Sequence, residues 1–125
     1  MNVPADLMYT TEHEWVLVEG NIATIGITDW AQGELGDVVF VELPEIDTAV
    51  TRGETFGTIE AVKAVSDMYS PITGKVTEIN TELDDDPMII NGDPYGKGWM
   101  IKVELEDTSE VDLLLDAVGY NSLIS

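Results

Sequence analysis

The side chains able to do chemistry are unevenly distributed in this sequence: 25 Asp+Glu stand against five Lys+Arg, with one histidine and no cysteine. The missing thiol removes disulfide frameworks, thiolate metal sites and cysteine nucleophiles together. The histidine, His13, lies between Glu12 and Glu14, an order that would suit a carboxylate–imidazole relay. No serine lies near it in sequence, and one imidazole makes a thin metal site, so a hydrogen-bonded residue at a strand edge is the expectation. Asp84-Asp85-Asp86 lacks the alternating ligands and glycine of a calcium loop, and Pro87 follows at once; it reads as a solvated charged turn. Gly92 to Gly98 is glycine-rich and holds Lys97, but it fits neither the phosphate-loop spacing nor G-x-G-x-x-G. So many acids always offer pairs, and no spacing selects one. The residues point to no catalytic group and no metal site, so the chain reads as a protein other than an enzyme.

Lys63 is the unusual cation. Lys75 follows Gly74 at the start of a strand-like run, and Lys102 is expected to alternate outward with Met100 and Glu104. Lys63 sits alone in Ile59-Glu60-Ala61-Val62-Lys63-Ala64-Val65-Ser66-Asp67. Its small and β-branched neighbours leave the amine accessible, with carboxylates three residues before and four after. The local pattern leaves its setting open, because Ile59, Val62 and Val65 also suit a helical face and no Asn-Gly or Asp-Gly turn is present. Composition alone makes Lys63 an ordinary surface lysine.

The elements that would carry these residues are mostly strands. Trp15–Val18, Ile22–Ile27, Val38–Leu43, Thr55–Ala61, Val65–Ser70, Lys75–Asn80 and Trp99–Leu105 are β-rich runs punctuated by Gly, Pro and Asn. Val38–Leu43 is nearly continuous β-branched and aromatic sequence and is predicted to be well buried. A short helix is predicted over Asp29–Leu35, stopped by Gly36. A C-terminal helix is predicted with Ser109 as cap, Val111, Leu114, Leu115 and Val118 as its apolar face, and Gly119 as its end. Many short strands at close spacing predict a small sandwich or barrel.

Length and charge narrow the class. A chain of 125 residues and 13.7 kDa fits one domain spanning 1–125. The formal net charge of −20 repels phosphate backbones and anionic bilayers, so neither nucleic acid nor membrane is an expected partner. No apolar run reaches the roughly 18 residues of a spanning helix, and Met1 to Thr10 shows no export or transit signal, so a cytoplasmic protein, monomeric when free, is expected.

Gly57-Thr58-Ile59-Glu60-Ala61-Val62-Lys63-Ala64-Val65-Ser66-Asp67-Met68-Tyr69-Ser70-Pro71-Ile72-Thr73-Gly74 resembles the lipoylation segment of the glycine cleavage system H proteins. The likeness extends to Tyr9–Trp15, Gly26–Gln32, Leu35–Pro44 and Asn91–Trp99. The resemblance implies a mainly β fold: a flattened two-layer sandwich, the barrel-sandwich hybrid of lipoyl and biotinyl carriers, with short helices and a C-terminal helix. It also implies that Lys63 stands at a hairpin tip and carries lipoate as an amide, giving an arm of roughly 14 Å.

The same resemblance implies the partners. The arm would take an aminomethyl group at a pyridoxal-phosphate glycine decarboxylase and deliver it to a tetrahydrofolate-dependent aminomethyltransferase. Dihydrolipoamide dehydrogenase would then reoxidise it, and a lipoyl or octanoyl transferase or ligase would install it. Tethering raises the effective concentration of the carried group at each visited site. Glu12, Glu14 and Asp67 are the residues implied for docking the loaded arm. Glu60 and Gly74, on opposite arms of the hairpin, are those implied for recognition by the modifying enzyme. Two departures from the family pattern stand out: Ala61 where serine is common, and Asp47 at a turn where glycine is common. Aspartate tolerates the left-handed conformation, so the turn is expected to survive. The rival readings are a lipoyl relay and a 2-oxoacid dehydrogenase-type lipoyl carrier; the latter usually has Asp-Lys-Ala, where this chain has Val62-Lys63-Ala64.

Overall fold

Alternation along Ile101–Leu105 shows why this sequence makes sheets. Ile101, Val103 and Leu105 are buried, Glu104 is exposed and Lys102 is half-buried, so one strand face enters the core and the other meets water. The computed structural model describes residues 2–125. In chain order the strands are β1 (Met8–Tyr9), β2 (Glu14–Glu19), β3 (Ile22–Ile27), β4 (Val38–Glu42), β5 (Ala49–Val50), β6 (Thr55–Ala61), β7 (Val65–Tyr69), β8 (Gly74–Ile79) and β9 (Ile101–Leu105). The helices are α1 (Asp29–Leu35), α2 (Glu82–Asp85), α3 (Ile89–Gly92) and α4 (Ala117–Ile124), with a 3-10 helix at Thr108–Leu113.

All strand pairs are antiparallel, in a six-stranded sheet ordered β1-β2-β3-β9-β8-β5 and a three-stranded sheet ordered β4-β6-β7. One apolar core lies between them, joining Val16, Ile25, Val76 and Val103 of the larger sheet to Val38, Val41, Ile59 and Met68 of the smaller. Burying each such side chain contributes about 1.5–3 kcal/mol. The predicted two-layer β fold is therefore present. Asp47 does adopt a left-handed conformation, with φ 75°, as anticipated for that turn.

Expectations for Val38–Leu43, Met100 and the C-terminal helix fail. Val38–Leu43 is not uniformly buried: a register shift between Val38 and Phe40 turns Val39 and Phe40 outward, 52% and 50% exposed. A bulge adds a residue to one strand and breaks the inward–outward alternation. Met100 does not alternate outward with Lys102; it precedes β9, is fully buried and donates its N–H to the Ile25 carbonyl at 2.8 Å.

The C-terminal helix is also displaced. Asp107, not Ser109, caps the 3-10 turn, accepting from the Ser109 N–H at 3.0 Å and hydroxyl at 2.6 Å. Leu114 then goes extended, Leu115 forms a two-way backbone bridge with Tyr9, and α4 starts only after Asp116. Gly119 does not end that helix. It lies in the first turn and gives its N–H to the Asp116 carboxylate at 2.8 Å. The apolar spacing from Val111 to Val118 is thus divided between two elements, and Val118 is 75% exposed. The helix is anchored by Tyr120, fully buried and stacked on Tyr9 with ring centroids 4.8 Å apart.

Candidate functional site

The β6–β7 hairpin is the frame for Lys63. Its last strand pair is Glu60 with Val65, and the Ala61 N–H closes the turn onto the Ala64 carbonyl at 2.7 Å. The Val62 N–H reaches outside the hairpin to the Asp37 carbonyl at 3.1 Å. Lys63 therefore stands at an exposed tip whose backbone is tied on both sides. Among the described residues the ion pairs are Lys75–Asp47 at 3.4 Å and Lys102–Glu78 at 3.6 Å, and Lys63 makes none. Its aliphatic stem lies across the end of α1: a β-carbon on Gly36 would come 3.2 Å from Lys63 Cε. Gly36 has φ 80° as the C-cap of that helix, so glycine there serves both the backbone turn and the path of the lysine.

Asn91 holds this corner together. Its side chain accepts from the Val38 N–H at 2.9 Å and donates to the Gly36 carbonyl at 2.8 Å and to Gln32 Oε1 at 3.0 Å. One amide thus joins the end of α1, the start of β4 and the α3 turn that carries it. In the sequence Asn91 stands out only as a turn residue beside Gly92 and as the first residue of the resembling block Asn91–Trp99. Its isolation among turn residues offered no signal, because all its partners are distant in the chain.

Beside the hairpin lies a groove of about 160 Å³, lined by Ile27, Ala31, Leu35, Ile59 and Met68 together with Glu12, Glu14 and Asp67. The three carboxylates proposed for arm docking are therefore brought to one concavity. They are not alike. Glu12 and Asp67 are exposed, whereas Glu14 is 2% exposed. Glu14 accepts from the Thr10 hydroxyl at 2.6 Å and from the Tyr69 N–H at 3.2 Å. Burial pushes its carboxyl up to about 7, a rise those two hydrogen bonds oppose.

His13 also lines this groove, and it forms no carboxylate relay. Its Nδ1 lies 2.8 Å from the Tyr120 hydroxyl, which in turn lies 2.7 Å from Thr28 Oγ1. The ring stacks on Trp30 with centroids 4.1 Å apart. It is hydrogen-bonded as expected, but it stands in the turn before β2 at φ 70° and not on a strand edge. Burial lowers its pKa, against the raising pull of Glu12 and Glu34. Among the described residues no group of three or more His, Cys, Asp or Glu side chains is arranged to hold a metal ion, and no helix is long and apolar enough to cross a membrane.

The two proposed recognition residues separate. Glu60 is exposed on β6, three residues before the lysine. Gly74 is not on the opposite arm of the hairpin, because that arm is β7. Gly74 begins β8 in the other sheet, paired with Leu105. A β-carbon there would fall on the Glu104 carbonyl oxygen and 2.7 Å from Val103 Cγ1. Glycine is needed at this position for close strand approach.

Comparisons with known proteins identify the family. The family model described as "Glycine cleavage H-protein" matches residues 7–125. A glycine cleavage system H protein of Staphylococcus haemolyticus (strain JCSC1435) is 58% identical over 124 residues, covering 99% of this chain and 98% of that one. One of Staphylococcus saprophyticus is 56% identical over the same length and coverage. The crystal structure of a glycine cleavage system H protein from Mycobacterium marinum superposes with a TM-score of 0.88 at 40% identity, covering 96% of this chain and 97% of the other. With a family model spanning nearly all of its length and relatives 56% and 58% identical, this chain belongs to the glycine cleavage H-protein family.

Proposed function

We propose that this protein is the lipoyl carrier of the glycine cleavage system and that Lys63 is the residue that holds lipoate, through an amide on Nζ. The observation that carries the reading is Lys63 itself: an exposed lysine with no ion pair among the described residues, on a hairpin tip fastened by the Ala61–Ala64 and Val62–Asp37 backbone bonds. The bound dithiolane would supply the redox and carrier chemistry, taking the aminomethyl group from a pyridoxal-phosphate glycine decarboxylase to a tetrahydrofolate-dependent aminomethyltransferase before reoxidation by dihydrolipoamide dehydrogenase.

The chain's own contribution is positioning. A tip braced by β4 presents the amine to a lipoyl or octanoyl transferase or ligase, with Glu60 one strand pair below as a charged contact. The groove fits the arm's distal end in two respects. Its apolar wall can pack against the hydrocarbon of the arm, and Glu12, Glu14 and Asp67 are complementary to a cationic amine. A cation there favours the ionised form of Glu14 and offsets part of its burial cost. No residue of the chain performs a bond-breaking step in this reading; the protein is a carrier and not a catalyst.

Trypsin digestion of protein from lipoate-replete cells tests the assignment. Acylation blocks cleavage after Lys63, so Gly53 to Lys75 should be recovered as one peptide carrying a lipoyl mass increment. Complete cleavage after Lys63 would reject the carrier reading.

A further inference from the structure

Glu14 also lines a second, larger cavity, of about 340 Å³, whose walls include Arg52, Tyr69, Pro71, Leu113 and Leu114. That volume falls in the range of small-molecule sites. Arg52 is the only arginine in the chain. Although acids outnumber bases 25 to five, Arg52 has no carboxylate within ion-pair distance among the described residues. Its backbone is nevertheless fixed. The Arg52 N–H donates to Thr73 Oγ1 at 3.1 Å, the Gly53 N–H donates to the Ser70 carbonyl at 2.8 Å, and Glu110 holds Thr73 through two further hydrogen bonds. A free guanidinium on a fixed loop therefore borders a cavity whose other charged walls are carboxylates.

The charges decide the ligand class. A simple anion is repelled by a protein of net charge −20, and a simple cation meets carboxylates over the whole surface with no reason to prefer this cavity. A zwitterion avoids both problems, because it has no net charge and can satisfy both poles. We propose that this cavity is a binding site for a free α-amino acid with an apolar side chain. Its carboxylate pairs with the fork of Arg52, its ammonium with Glu14 and Glu12, and its side chain packs on Leu113, Leu114 and Pro71. This site does not require Lys63 to be modified, but it shares Glu12 and Glu14 with the groove proposed for the arm, so a loaded arm and a free amino acid would compete for those two carboxylates.

Titration of the full-length, 15N-labelled protein with leucine tests the proposal, with isopentylamine and 4-methylpentanoate as probes lacking one pole each. Leucine should shift the backbone resonances of Gly53, Tyr69 and Leu115 saturably, and each one-pole probe should bind more weakly. Arg52→Gln removes a charged contact and should weaken leucine roughly tenfold or more while leaving isopentylamine unchanged. Arg52→Lys keeps the charge without the fork and should lie between; it decides the matter if Arg52→Gln alters the fold. Absence of saturable shifts up to about 50 mM leucine, well past a millimolar Kd, would overturn the proposal. Equal affinity for leucine and isopentylamine, or an unchanged leucine affinity in both variants, would overturn it as well.

Discussion

The side-chain amide of Asn91 donates to the carbonyl of Gly36 at 2.8 Å, across 55 residues of sequence, and thereby fixes the corner on which the Lys63 tip rests. The same side chain satisfies the N–H of Val38, a fully buried residue. Asn91→Ala leaves that donor without its partner, so stability should fall by about 1–3 kcal/mol. Because Asp37, between those two partners, holds the Val62 N–H, the tip should also loosen. Urea denaturation measures the first effect, and hydrogen exchange at Val62 the second. An unchanged exchange rate at Val62 would show that the hairpin holds its own tip.

Glu14 should make stability depend on pH. Burial pushes its carboxyl up to about 7 in the folded protein, above the ordinary carboxylate range. The folded state binds this proton more tightly than the unfolded chain. The contribution is therefore complete below the ordinary carboxylate range and is lost as pH rises through about 7, a change on the order of 3 kcal/mol. Glu14→Gln removes that titration, so the variant should gain on the parent as pH rises from about 5 to about 8. A carbon-13 titration of the Glu14 carboxyl should have its midpoint near 7. A stability difference independent of pH would count against the burial of a titrating carboxyl.

Lys63→Arg separates function from fold. The residue is exposed and makes no ion pair among the described residues, so stability should change by no more than about 0.5 kcal/mol. Arginine offers no amine that a ligase can acylate, and glycine-dependent CO2 exchange should disappear. Unfolding of the variant would instead make Lys63 a structural residue.

Glu60 and Gly74 should respond differently to substitution. Glu60→Gln changes an exposed charge three residues from the lysine, and should slow lipoylation while leaving the melting temperature within a few degrees. Gly74→Ala drives a methyl group into the Glu104 carbonyl and should destabilise the β8–β9 pairing before any effect on recognition can be read. A Gly74→Ala protein that folds normally but resists lipoylation would restore a recognition role for this glycine.

The sequence by itself was enough for the β class, the strands around the hairpin, α1 and its Gly36 stop, because these depend on alternation, turn residues and caps within a few positions. It also singled out Lys63, through a segment whose likeness to one family is local and nearly unbroken. What it misread were consequences of contacts made elsewhere. The apolar spacing from Val111 to Val118 suited one helix, but the Tyr9–Leu115 bridge and the Asp116 cap split it in two. Gly74 lay near the hairpin in sequence, but its strand joined the other sheet. Tertiary structure alone decided that Glu12, Glu14 and Asp67 share a groove, that Glu14 is buried enough to titrate near 7, and that Asn91 braces the tip. Burial and hydrogen-bond partners are set by which sheet faces which, and residues dozens of positions apart carry no trace of that meeting in their local pattern.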